Sequence, residues 1–428
     1  MLCYMLQARQ EHFETGKRRM TAPLSHIRVL DLSRILAGPW AAQHLADMGA
    51  EVIKIERPVV GDDTRGWGPP FAIEANDAHP AISAYFSCAN RGKKSVAVDI
   101  TTPEGQALIR ELAKVSDVVI ENFKVGGLAQ YGLDYASLKA VNPKIVYCSI
   151  TGFGQTGPYA SRAGYDFLLQ GMGGLMSVTG EPDSNGGAPV KVGVAITDQL
   201  TGMNALTGIL SCLIKRDQTG EGDHVDVALF DCTIAGLVNQ AATYHVAGKV
   251  PGRMGNAHPT VVPYQVFETA DGHIILAVGN DGQFERFCEV TGLQHLSADE
   301  KYATNPQRIV NRDELIPLLE PVFKTRTNVE WIDALEKSQV PCGPINTVDR
   351  VFADPQVQHR QMQRDLPQKD LGTIPVTANP IRLQQHDTTA QLPPPHLGEH
   401  TLEVLSDVLK LTNERISELC QANIVETR

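Results

Sequence analysis

The chain has 428 residues, 42% of them hydrophobic, and carries 38 Lys+Arg against 49 Asp+Glu for a net charge of −11. That is enough to bury a sizeable core in one large or two ordinary domains. An acidic balance with no basic run longer than Lys17-Arg18-Arg19 argues against an electrostatic grip on nucleic acid or an anionic membrane, and no apolar run reaches the ~18 residues of a transmembrane helix.

The first twenty residues lack the apolar stretch of a secretory signal, and Glu11 and Glu14 do not suit an organellar transit peptide. They read as a disordered extension, 1–20, with Met20 directly before the first folded-looking segment. From Ile27 onward, short β-branched runs alternate with helical patterns. Strands are expected at 27–32, 51–56, 95–99, 117–120, 145–150 and 224–229. Helices are expected at 39–48, from Thr102-Pro103-Glu104 onward, at 134–141 and at 198–215. Pro39 suits a first helical position and Gly49 a C-terminal cap. A long Gly/Pro-rich loop, 58–80, interrupts the series. Strands separated by helices of this length imply a mainly parallel sheet covered on both faces.

After about residue 250 the pattern changes to a strand at 273–278 and helices at 281–291, 312–323 and 327–337. An extended return follows at 365–395, then a closing helix over 400–420. The expected organisation is a large α/β domain from 21–230, a linker helix and small domain from 231–355, and a segment, 356–428, that completes the large domain. The eight cysteines are scattered without a C-x-x-C pair, which indicates neither a zinc site nor a disulfide framework, so reduced thiols in a cytoplasm are expected.

Gly152-Phe153-Gly154-Gln155-Thr156-Gly157 satisfies G-x-G-x-x-G after a strand. Pro158 denies it the helix that a dinucleotide fingerprint requires, and no acid-terminated strand follows at the right distance. Downstream stands Arg162-Ala163-Gly164-Tyr165-Asp166-Phe167, which sets one carboxylate among small residues at the start of an expected helix. An ordinary helix cap is the plain reading of Asp166. A nucleophile is the other, since the helix dipole and nearby N–H groups favour the ionised form.

The neighbourhood favours the second reading. In order along the chain come Ile35-Leu36-Ala37-Gly38-Pro39, Gly49 to Pro58, Gly61-Asp62-Asp63-Thr64-Arg65, Asn90 to Ser95, Glu121-Asn122-Phe123, Ser149 to Gly154, Pro341-Cys342-Gly343-Pro344 and Leu397 to Thr401. Together with Asp166 they resemble the class III coenzyme A transferases across nearly the whole of 27–401. The resemblance implies a large Rossmann-like α/β domain with a smaller α/β domain, in an interlocked homodimer. It makes Asp166 the covalent nucleophile, and acyl-CoA and a free acid the substrates, with no tightly bound cofactor and no metal.

Carried over residue by residue, Ile35, Leu36 and Ala37 would line the adenine and pantetheine region, and Arg57 would meet the nucleotide end. Lys93 or Lys94, Asn122 and Phe123 would hold the phosphates and pantetheine arm, Lys124 would stand in for a family arginine replaced here by Gln130, and Met203 would flank the thioester. Gln155, Arg65 and His258 are the candidates for the substrate acids, although Arg65 could equally brace its own loop against Asp62 or Asp63. Gly255-Asn256-Ala257-His258-Pro259 replaces the glycine run of the oxalate-using branch, and with Val262 to Phe267 looks more like the branch acting on succinate and glutarate. An acyl-CoA racemase of the same fold is the nearest alternative, yet no histidine occurs between His79 and His224, where such an enzyme needs an acid/base partner. A nucleotide- or CoA-binding regulatory protein is the non-enzymatic alternative.

Overall fold

The computed structural model describes residues 22–73, 82–368, 372–389 and 392–428. The 1–20 extension and the end of the 58–80 loop lie outside them. The described chain forms two compact units. The first is built from three chain segments, up to Gly173, Val194–Gly236 and Gln358–Arg428; the second comprises Gly174–Gly193 and Leu237–Val357.

The first unit is organised by a seven-stranded sheet. Its strands are β1 (Arg28–Asp31), β2 (Glu51–Glu56), β5 (Lys93–Val98), β6 (Val118–Glu121), β7 (Val146–Thr151), β8 (His224–Ala228) and the short β14 (Val425–Glu426), while β3 (Phe71–Ile73) and β4 (Ile82–Ser83) pair apart from it. The spatial order is β14-β5-β2-β1-β6-β7-β8. All pairings are parallel except the edge pair of β14 with β5.

The strands read as nearly unbroken apolar runs because both faces are covered. Successive residues point to opposite sides, so Val29 joins the core beneath helices α1 (Ala37–Asp47) and Ile196–Thr219, and Leu30 joins the core beneath Pro103–Lys114 and Asn413–Gln421. From β1 the chain builds outward through β2 and β5, then returns to the other side of β1 with β6. The strand order therefore reverses between β1 and β6, the place where open α/β sheets leave a crevice at the carboxyl ends of their strands.

The second unit packs the antiparallel strands β9 (Tyr264–Glu268), β10 (His273–Ala277) and β11 (Cys342–Pro344) against helices Asp281–Thr291, Arg312–Phe323 and Asn328–Lys337. Its core is a stack of Phe267, Phe284, Phe287, Phe323 and Trp331. Asn280 accepts the Gln283 N–H to start the first of these helices, and Thr327 with Glu330 forms a capping box on the third. In the first unit, β12 (Gln363–Gln368) and β13 (Gly372–Thr377) form a hairpin within the stretch expected to be an extended return. The closing segment is not one helix. A turn at Thr401–Glu403 runs into a wide turn at Val404–Val408, Lys410 adopts a left-handed φ of 57°, and Thr412 caps a new helix over Asn413–Gln421 by accepting the Arg415 N–H.

Candidate active site

Asp166 is set in place by two glycines. A Cβ on Gly152 would stand 2.6 Å from the Cα of Gly164, and one on Gly164 would stand 2.3 Å from the Cα of Gly152. Only two glycines let the segment leaving β7 cross the segment leading to Asp166 in direct backbone contact.

Asp166 then opens the helix Asp166–Met172 as its first residue, after an extended Tyr165, and its carboxylate caps none of that helix's own N–H groups. Oδ1 instead accepts the backbone N–H of Thr197 at 2.8 Å, and Oδ2 accepts Gln170 Nε2 at 2.7 Å. Gln170 is buried, and Thr197 is pinned in turn, since its hydroxyl faces Thr233 Oγ1 at 3.1 Å and its carbonyl accepts from Thr201 at 2.7 Å. Among the described residues no cation pairs with Asp166. A half-buried carboxylate held by two neutral donors keeps an available lone pair that an ion pair would take up.

Beside it stands Asp198, in the first turn of Ile196–Thr219, next to the residue whose N–H holds the nucleophile. Burial, and then the charge on Asp166, push the Asp198 carboxyl up to about 7. Asp198 is therefore mostly neutral below pH 7 and gains its charge only as pH rises through that value. The same helix lines a largely apolar cavity of about 1040 Å³ with Gln199, Leu200 and Met203, and Leu36, Trp40 and Cys88 line it as well.

The crevice between β1 and β6 is tied across its mouth. Asn122, just after β6, accepts the Arg34 N–H at 2.9 Å and donates to the Arg34 carbonyl at 2.7 Å. Arg34 also lies over the Phe123 ring, 5.6 Å from its centroid. Ile35, next in the loop, is held at φ 72°, a backbone conformation that a β-branched residue adopts only under constraint. Part of that constraint comes from Asp62, which lies 3.3 Å from the Ile35 N–H and is itself fixed by the buried ammonium of Lys54 at 2.9 Å. A second cavity, of about 190 Å³, opens here and is lined by Arg34, Arg57, Asp99, Thr101, Phe123 and Tyr131 among others.

The sequence candidates thus sort by position. Ile35, Leu36, Ala37, Asn122 and Phe123 sit at the crevice, Arg57 lines the smaller cavity, and Met203 faces the larger one with Leu36. Arg57 and Lys124 are exposed and make no ion pair among the described residues.

Three expectations are corrected. Lys93 is fully buried, its ammonium taken by Asp31 at 2.9 Å, Asn90 at 2.9 Å and the Pro39 carbonyl at 3.0 Å, so it cannot reach a phosphate. Lys94 is paired with both Glu51 and Glu403, where β2 begins rather than at the carboxyl ends of the strands. Arg65 is only 2% exposed, bound through Nε and Nη2 to Glu56 at 2.7 and 2.6 Å, so it meets no substrate carboxylate and braces its loop on Glu56 rather than on Asp62 or Asp63. Gln155 is fixed through its backbone, whose N–H donates to Asp226 at 3.1 Å. His258 lies in the second unit, where Nδ1 accepts the Thr260 N–H at 3.2 Å and the ring packs on Tyr264.

Sequence reasoning missed Thr197, Asp198, Gln170, Asp99, Thr101 and Tyr131. Only Gln170 left a signal, four residues beyond Asp166 and so on the same helical face. The others join the site through long-range packing.

A family model described as CoA-transferase family III matches residues 24–401. Among curated proteins, the chain is 51% identical to the succinate–glutarate CoA-transferase of Agrobacterium fabrum, over 90% of this chain and 96% of that protein. It is 43% identical to the succinyl-CoA:glutarate CoA-transferase of Homo sapiens, over 94% of this chain and 90% of that one. Among solved structures, a CAIB/BAIF family protein from Brucella suis superposes with a TM-score of 0.80 at 50% identity, covering 91% of this chain and all of that one. The chain belongs to CoA-transferase family III. It is a CoA-transferase, with a CoA thioester as substrate.

Proposed function

We propose that the enzyme moves CoA from succinyl-CoA to glutarate through a thioester on Asp166. The observation that carries this reading is the Thr197 N–H, 2.8 Å from Asp166 Oδ1, a donor already at oxyanion-hole distance from the oxygen that becomes negative when Cγ is attacked. The named relatives support the substrates.

Asp166 Oδ2, which keeps a lone pair beyond its bond from Gln170, attacks the succinyl carbonyl, forming a C–O bond as the C–S bond breaks, and yields a mixed anhydride and CoA thiolate. The thiolate attacks Asp166 Cγ, with Oδ1 held by Thr197, and expels succinate to leave an aspartyl-CoA thioester. Glutarate attacks that thioester and regenerates an anhydride and the thiolate, which then attacks the glutaryl carbonyl and releases Asp166. One thioester is consumed and one is made, with no net change in protons or electrons. Below about pH 7, a protonated Asp198 beside the nucleophile keeps a second negative charge away from the incoming dicarboxylate.

On this reading the CoA nucleotide lies near Arg57 with the arm along Asn122, Phe123 and Leu36, and Met203 flanks the thioester. The working form would be a cytoplasmic homodimer without a bound cofactor. Exposed apolar side chains beside the nucleophile, Tyr165 at 70% and Phe167 at 60%, support a second copy, which would cover them.

The test is exchange measured with succinyl-, glutaryl- and acetyl-CoA against mono- and dicarboxylates. Succinyl-CoA with glutarate is expected to give the highest kcat/KM, and a preference for monocarboxylates would reject the substrate assignment.

A further inference from the structure

Beneath the Asn122–Phe123 wall lies a buried carboxyl that the transfer steps leave unused. Glu121 closes β6, is 5% exposed, and accepts the Phe123 N–H at 2.7 Å. Its register partner on β7, Ser149, is hydrogen-bonded to it, and Ser149 Oγ lies 2.9 Å from His224 Nε2 on β8. Asp226, the register partner of Ser149 on β8, accepts the Gln155 N–H at 3.1 Å. A polar row thus crosses three strands just below two loops of the site. Among the described residues no cation pairs with Glu121, so its burial costs stability without the offset that an ion pair supplies.

We propose that Glu121 is a positioning residue for the acyl-CoA, whose hold on the Phe123 N–H keeps Phe123 and Asn122 in the shape that the CoA arm requires. This rests on the reading of Asn122 and Phe123 as CoA contacts. Asn122 fastens the wall to the β1 loop through Arg34, and Glu121 fastens it from below, so both ends of the wall are fixed by hydrogen bonds.

The grip titrates near neutrality. Burial pushes the Glu121 carboxyl up to about 7, against the pull of Ser149 and the Phe123 N–H, and Asp226 adds to the rise. Other ionisable groups around this row are Tyr147 and Cys148 on β7, His224 on β8 with Asp223 beside it, Tyr135 stacked on His224 with Lys139 over its ring, Asp134 near Tyr147, and Arg34 over Phe123; burial holds the His224 ring below its ordinary range. Above neutrality Glu121 offers a carboxylate and a charge-assisted bond; below it, a weaker neutral acceptor.

The experiment measures KM for succinyl-CoA between about pH 6 and about pH 8 in the wild type, Glu121→Gln, Ser149→Ala and Phe123→Ala. For the wild type, KM is expected to fall several-fold as pH rises through 7. Glu121→Gln should hold the acid-side KM at every pH with kcat within about twofold. Ser149→Ala, which removes a bond favouring the charged form, should move the midpoint to higher pH, and Phe123→Ala should raise KM throughout. If Phe123→Ala raises KM while Glu121→Gln follows the wild-type profile, or while the Ser149→Ala midpoint stays in place, the inference is overturned and the CoA-site reading stands. If Phe123→Ala leaves KM unchanged, the reading falls and takes the inference with it.

Discussion

Asp166 differs from an ordinary helix-capping aspartate in one respect: its acceptor oxygens are served by neutral donors from outside its own first turn. Replacing Asp166 with Asn keeps the shape and removes the nucleophile, so exchange is expected to vanish while CoA affinity stays within about tenfold. Retained turnover would remove the assignment. Asp198 makes a second expectation. As pH rises through about 7 it gains charge next to Asp166, and repulsion of an anionic acceptor should raise the glutarate KM on the alkaline side. Asp198→Asn should flatten that limb, and an unchanged alkaline profile would show that the neighbouring acid has no part in acceptor binding.

At the scale of elements, the crossing of Gly152 with Gly164 is what sets the start of the Asp166 helix relative to the end of β7. A methyl on Gly164 meets the Gly152 backbone in the segment just after β7, which cannot move aside as a flexible side chain would. Gly164→Ala is therefore expected to displace Asp166 and lower kcat by roughly a hundredfold with circular dichroism unchanged. A kcat near the wild type would mean that the crossing is not what positions the nucleophile.

The elements also separate what the sequence made legible from what it did not. Strand runs such as Glu51 to Glu56 and the start signal Thr102-Pro103-Glu104 were readable because propensity, period and capping agree there. The lysine pair was not. Alternation on a strand says that Lys93 and Lys94 point opposite ways, but not that Lys93 turns into the protein to meet Asp31, 62 residues away in sequence. The break at Lys410 was hidden for a similar reason, since a single left-handed residue leaves no apolar signature. Nor does the sequence mark 174–193 as joining the later segments in the second unit.

For the whole molecule, the buried acids set how stability varies with pH. Glu121 and Asp198 both have folded values raised to about 7, so between their ordinary carboxyl range and about pH 7 the folded state binds more protons than the unfolded one. Stability from these two groups is therefore present at low pH and lost as pH rises through that window. Asp62 acts in the opposite sense. Burial raises it, but Lys54 and the Thr64 N–H and hydroxyl together outweigh burial and lower it to about 2, so its contribution is complete above the ordinary carboxyl range and lost only in acid. Denaturant unfolding should find Glu121→Gln more stable than the wild type at alkaline pH, by roughly 3 kcal/mol, with the gap closing in mild acid. A gap independent of pH would mean that Glu121 carries no buried charge. No helix among the described residues is long and apolar enough to cross a membrane.

The central claim is that one oxygen of Asp166 carries the acyl group and its carbonyl carbon then carries CoA. It is tested most directly by mixing the enzyme with succinyl-CoA without acceptor, trapping with hydroxylamine or borohydride, and sequencing the modified peptide by mass spectrometry. The expected result is a single modification on Asp166, absent from Asp166→Asn and suppressed by added glutarate. An unmodified Asp166 peptide during steady turnover, or a label on another side chain, would contradict it.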